Sequence, residues 1–362
     1  MGIQAVGAFL LAGLVCFGTT AADESASSLL SKGRQAYKEG HYDNAERYHR
    51  LAVSVAEHSG NPDQFAEALG ELGGILETTG QYVESKSLSL KALGILRSTP
   101  TKRYLPVVLN RLGMLASREG DNQQSEKYLK ESLRVTQDFE AHDPYIAIVL
   151  NNLGVVYYSN GDIGRAEKTF KKANAFIDKE LGPDRAELAP TLNNLGGVYL
   201  ARKKWDAAGA QFYRALSLLE NSGNFIDTAS VLVSVGTMYH ARDNAPEAEK
   251  AFRRAYEIRL KVFGAKHPKV ARTALDLAAT LTLEGTYDEA ERLYADALHI
   301  YEMALGPSAP EVGSTLMQMA KLLRKTNRED AASKLEARAE FIRFELEHVV
   351  RVEQLRAIRS ER

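Results

Sequence analysis

The chain has 362 residues with 44% apolar, 26% charged and 8% aromatic side chains, the balance of a folded protein and not of a disordered one. Its 46 Lys and Arg nearly cancel its 47 Asp and Glu, so it lacks the basic excess that binds nucleic acid by neutralising phosphates. Length alone allows either several ordinary domains or one repeat array, and periodicity decides between them.

The first 22 residues carry no charge, and Ala5 to Phe17 (AVGAFLLAGLVCF) is apolar before small residues lead to Ala22. This predicts a secretory signal over residues 1–22, since the run is shorter than the roughly 18 residues of a spanning helix. The chain is therefore expected to be exported, periplasmic or secreted. The missing Lys or Arg near Met1 keeps a membrane anchor or a cytoplasmic start as alternatives. Cys16 is the only cysteine, so the mature chain would have neither a disulfide nor a thiolate metal site.

From there to about residue 350 the chain repeats. Taking the Leu of "NLG" as a marker, equivalent positions are Lys32, Leu72, Leu112, Leu153, Leu195, Val235, Leu277 and Met319, spaced by 40, 40, 41, 42, 40, 42 and 42 residues. Thirteen residues after each marker stands Ala45, Ser85, Ser125, Ala166, Ala208, Ala248, Ala290 or Ala332. Twenty after it stands Ala52, Ala92, Ser132, Ala173, Ala215, Ala255, Ala297 or Ala339. Two small columns at these spacings allow helices to approach closely. Phe170, Phe212, Phe252 and Tyr294, seventeen after the marker, are the bulky residues that the small columns are expected to receive.

Gly40, Gly80, Gly120, Gly161 and Gly285 divide five of the units into a helix A and a helix B. The joints at 139–145, 181–187, 263–269 and 305–311 combine Gly or Pro with a new helix start. After the eighth copy the chain continues as a charged amphipathic helix, with residues 351–362 as a tail expected to extend a capping helix. A partner-binding or membrane-surface helix is the alternative there.

Leu153-Gly154 with Tyr157, Ala166 with Phe170, and Phe170 with Ala173 resemble the tetratricopeptide repeat, as do Leu195-Gly196, Tyr199, Ala208, Phe212 and Ala215. The longer period and the L-G-P-x-x-x-E or F-G-x-x-H-P joint are similar to the 42-residue kinesin-light-chain variety, also found in bacterial exported scaffolds. The resemblance implies an all-α superhelical solenoid of about eight hairpins over residues 23–350, whose A helices line a concave side.

A-helix positions not used in packing are then the expected partner-binding residues: Asn110, Arg111, Asn151, Asn152, Tyr158, Asn193, Asn194, Lys321 and Arg324. An Asn amide can both donate to and accept from a peptide backbone, so Asn110, Asn152 and Asn194 are candidates for a ladder. Glu67, Glu71 and Glu77 predict an acidic second copy, and Lys321, Arg324 and Lys325 a basic eighth.

The eight histidines show no H-E-x-x-H spacing, and neither G-x-x-x-x-G-K-[ST] nor G-x-S-x-G occurs. No cofactor, metal, nucleic acid or small-molecule substrate is expected. The reading is a non-catalytic scaffold for a protein or extended peptide. A self-assembling structural component, which predicts an exposed apolar face on the terminal helix, and a regulatory subunit of a larger enzyme system are the alternatives.

Overall fold

A computed structural model describes residues 24–139, 142–220 and 222–360, and the expected signal segment lies outside them. The chain divides into two compact units, Met1–Asn160 and Gly161–Arg362. The first carries α1 (Ala26–Lys38), α2 (Tyr42–Glu57), α3 (Pro62–Thr78), α4 (Tyr82–Ser98), α5 (Leu105–Arg118), α6 (Asn122–Phe139) and α7 (Tyr145–Ser159). The second carries α8 (Ile163–Glu180), α9 (Ala189–Ala201), α10 (Trp205–Leu219), α11 (Phe225–His240), α12 (Ala245–Phe263), α13 (Pro268–Glu284), α14 (Tyr287–Leu305), α15 (Pro310–Lys325) and α16 (Glu329–Ser360). No strand occurs among the described residues, and the helices follow the expected alternation of A and B, so the class is all-α.

Each A helix stops where the chain enters the left-handed region. Gly40, Gly80, Gly120, Gly161 and Gly285 have φ between 76° and 84°, which a glycine adopts without a Cβ clash. In three copies the position is filled by Lys203, Asp243 and Asn327, at φ of 55°, 56° and 57°. Polar side chains start the next helices: Asn61 accepts from Gln64 N at 3.1 Å, Asp162 from Arg165 N at 2.9 Å and Asn224 from Asp227 N at 3.1 Å. His267, in its Lys-His-Pro joint, accepts from Lys269 N at 3.0 Å and caps α13.

Both small columns are buried throughout. Where Ser replaces Ala the hydroxyl can donate across the contact, Ser85 to Gly73 O and Ser132 to Pro106 O, each at 2.8 Å. Of the bulky column, Phe212 and Phe252 rest on the glycine that follows the marker. A Cβ on Gly236 would come within 2.7 Å of the Phe252 ring, and one on Gly196 would overlap Phe212. The divergent copies keep the device with other residues: Leu129 covers Gly113, and His49, buried inside α2, covers Gly33.

Candidate binding faces

In the first unit the A helices α3, α5 and α7 present side chains five residues before the marker, next to it, and two to six after it. On α7 these are Ile148, Asn151, Asn152, Val155 and Tyr158; on α5 they are Val107, Asn110, Arg111, Met114 and Arg118. Ile148 is 50% exposed and Tyr158 39%, so both offer apolar surface to solvent. Ile148 was missed among the expected contacts, although its place one and a half turns before the marker could have signalled it.

The residues next to the marker are engaged between hairpins. Asn152 Nδ2 donates to Asn110 Oδ1 at 3.0 Å. Arg111 donates from a terminal guanidinium nitrogen to Gly70 O, over the space that Gly74 leaves without a Cβ, and its Nε lies 3.7 Å from Glu77. Burial pushes the Glu77 carboxyl up, against the pull of Arg111 and Arg118. Burial likewise pushes the Tyr145 hydroxyl up, opposed by Arg111 and by a hydrogen bond with Asn110. The expected ladder thus has one rung in this unit, and that rung is an amide pair within the fold.

The second copy is not a bare acidic patch. Arg34 of α1 forks onto Glu71, with Nε at 3.0 and 2.9 Å from its two oxygens, and reaches Glu67 at 2.9 Å. The sequence pattern missed this because the partners lie 33 and 37 residues apart, on consecutive hairpins.

In the second unit Asn193 and Asn194 are half-buried on α9. Asn193 Oδ1 is buried without a hydrogen-bond partner. The next helix has Ser234 where α7 has Asn152, and its hydroxyl turns back to Ser230 O at 3.3 Å. Gly197 leaves open space beside these amides, with nothing within 4 Å of where a Cβ would stand, so its role is not close packing. On α13 the same column holds half-buried Asp276. Burial raises its carboxyl, and Arg272 at 3.6 Å only partly offsets this.

On α15 Lys321 is exposed, whereas Arg324 is tied to Glu336 at 3.0 and 2.7 Å and to Glu329. The expected basic character of the eighth copy therefore rests on Lys321 and Lys325. Among the described residues no cluster of metal-ligating side chains occurs, and no helix is long and apolar enough to cross a membrane.

These repeating columns, glycine seats and A-helix faces are matched by a family model. The model of the tetratricopeptide repeat covers residues 64–138, 104–176, 145–221, 227–303 and 270–340. The chain belongs to the tetratricopeptide repeat family. Its repeats are of the kinesin-light-chain-like variety, as in a putative kinesin light chain of Podosopora anserina with nearly identical repeats. That structure is 16% identical, with a TM-score of 0.50 over 57% of this chain and 98% of that one.

Two further solved structures share the fold. The apo form of the quorum sensor NprR from B. thuringiensis is 13% identical, with a TM-score of 0.63 over 88% of this chain and 87% of that one. A Rap protein complexed with Competence and Sporulation Factor is 14% identical, with a TM-score of 0.56 over 91% and 99%. No curated protein matches the chain. Tetratricopeptide arrays are protein-interaction scaffolds, and the family assignment carries that general role and no catalytic chemistry.

Proposed function

We propose that this tetratricopeptide protein is a non-catalytic adaptor, exported by its first 22 residues, that binds an extended protein segment on its A-helix faces. The observation that carries this reading is the α7 face. There Ile148 and Tyr158 stand exposed on either side of the Asn151 and Asn152 amides, positions that hairpin packing does not require to be apolar. Arg111, Asn110 and Asn152 stiffen the floor through bonds between hairpins, so little ordering cost falls on binding. A partner segment would set apolar side chains against Ile148, Val155 and Tyr158 and its backbone against the flanking amides. In the second unit Asn193, Asn194 and Lys321 take the corresponding places. The Rap complex, in which a relative in fold holds a factor, fits this reading and also the regulatory alternative.

The test is affinity capture from cell-envelope extract with the wild-type chain, an Ile148→Glu/Tyr158→Ser variant and an Asn152→Ala/Asn194→Ala variant. A prey retained by the wild type and lost with the first variant, at unchanged helical content, supports the α7 face. Equal recovery with all three baits overturns it. Loss only with the second would move recognition from apolar side chains to the amides.

A further inference from the structure

We propose that the last hairpin, α15–α16, is a contact between two copies of this chain. Within the second unit, the forward edge of each hairpin is covered by the A helix that follows, as α15 covers α13 and α14. There Leu275 and Tyr301 are buried in one cluster with Val312 and Leu316 of α15. The residues 42 positions later are Met317, which is 39% exposed, and Arg343, which is exposed as well. With Gly313, Ala339, Ile342 and Leu346 they line a groove of about 280 Å³ that continues the interface repeated between the earlier hairpins.

The same helix carries what could fill such a groove. Phe341 and Phe344 are 60% and 65% exposed. Phe344, one turn beyond Glu340 on the rim of the groove, is placed to enter the groove of a second copy, whereas Phe341 stands on the far side of the helix from the lining residues. A knob and a groove on one helix is the arrangement that an isologous two-fold contact needs, because each copy then supplies both halves. Glu340 and Arg343, of opposite sign, rim the groove less than one helical turn apart, so a two-fold sets Glu340 of one copy beside Arg343 of the other.

The other occupants fit less well. The outer positions of α1 are Ser27, Ser31, Lys32, Gln35 and Lys38, all exposed and polar, so a head-to-tail stack would set a polar surface on the groove. Helix α16 has seven acidic and six basic residues, which gives no cationic excess for an anionic lipid surface. This inference does not rest on the proposed binding faces: the α7 and α9 residues lie on other helices, and Lys321, although on α15, does not line the groove.

Sedimentation equilibrium of the full chain at tens of micromolar tests it. The expected mass is twice 39.9 kDa. Phe344→Glu, and separately Met317→Glu, should bring it to the monomer with unchanged helical circular dichroism. Val83→Glu, at an exposed apolar site in the first unit, should leave the dimer intact. Glu340→Arg and Arg343→Glu should each weaken dimerisation a few-fold, and the double swap should restore it. A monomeric wild type, or a dimer that neither the Phe nor the Met variant disturbs, overturns the proposal. Monomers that bind an amphipathic helix of another protein at the groove would also overturn it, since the occupant would then be heterologous.

Discussion

Phe212 lies with its ring on Gly196, while Gly197, the next residue of the same helix, has nothing within 4 Å of where a Cβ would stand. The two glycines are adjacent in sequence but face opposite fates. Gly196→Ala should destabilise the protein by about 1–3 kcal/mol through overpacking. Gly197→Ala should stabilise it by up to about 1 kcal/mol, because alanine is the better helix former. Urea unfolding of both variants checks the register: shifts of the same sign would show that Phe212 does not seat on Gly196.

Glu71 ties the first three helices together. Arg34 of α1 holds it from one side, and His49 of α2 stands 3.3 Å from it on the other, with its second ring nitrogen 2.7 Å from Ala45 O. Burial alone would raise the Glu71 carboxyl, but the bonds from His49 and Arg34 outweigh it and hold the carboxyl below its ordinary 4.5. A carboxylate with a depressed folded value stabilises at neutral pH, and the contribution is lost as pH falls from the ordinary value through the folded one. Hydrogen exchange should therefore show α1 and α2 losing protection before the remaining helices do as pH falls below the ordinary carboxylate value of 4.5. Glu71→Gln should remove that acid limb and cost about 1–3 kcal/mol at pH 7, by leaving the Arg34 guanidinium poorly paired.

Asp276 has the opposite sign. Burial raises its carboxyl, and Arg272, His240 and Arg259 do not restore it. Below its ordinary value both states are protonated. As pH rises past that value the unfolded state ionises first, so Asp276 lowers stability toward neutral pH. Asp276→Asn should therefore be neutral or stabilising at pH 7, with less effect at pH 3. Thermal melts at the two values test this, and a loss of stability confined to pH 7 would show that the Arg272 pair outweighs burial.

The repeat was legible because its signal is steric. Ala45, Ala166, Ala208 and Ala290 recur where a bulky side chain would force helices apart, and every one of them is buried. The seat of Phe212 was less legible, since a bulky residue and two kinds of small residue lie within one turn of each other and only the folded structure tells which pair meets. The A-helix faces were half legible. Column position selected Asn152, but whether its amide faced solvent depended on Asn110 in the preceding hairpin. Charge was read least well: Glu67 and Glu71 looked like a bare acidic patch, and Arg34 pairs with both from a helix more than thirty residues away.

The A-to-B turn shows the same limit and supplies a measurement. Five copies use glycine there, and Lys203, Asp243 and Asn327 adopt the same left-handed backbone with a side chain in place. For an ordinary L-residue this conformation costs roughly 1–2 kcal/mol, less for Asn and Asp, whose short polar side chains bond locally. Lys203→Gly should therefore raise stability by about 1 kcal/mol, with Asp243→Gly and Asn327→Gly giving smaller gains or none, because glycine's extra freedom in the unfolded chain offsets relief that is already small. The order of the three midpoints in urea is the decisive readout. If Asn327→Gly gained as much as Lys203→Gly, relief of Cβ strain could not be the cause.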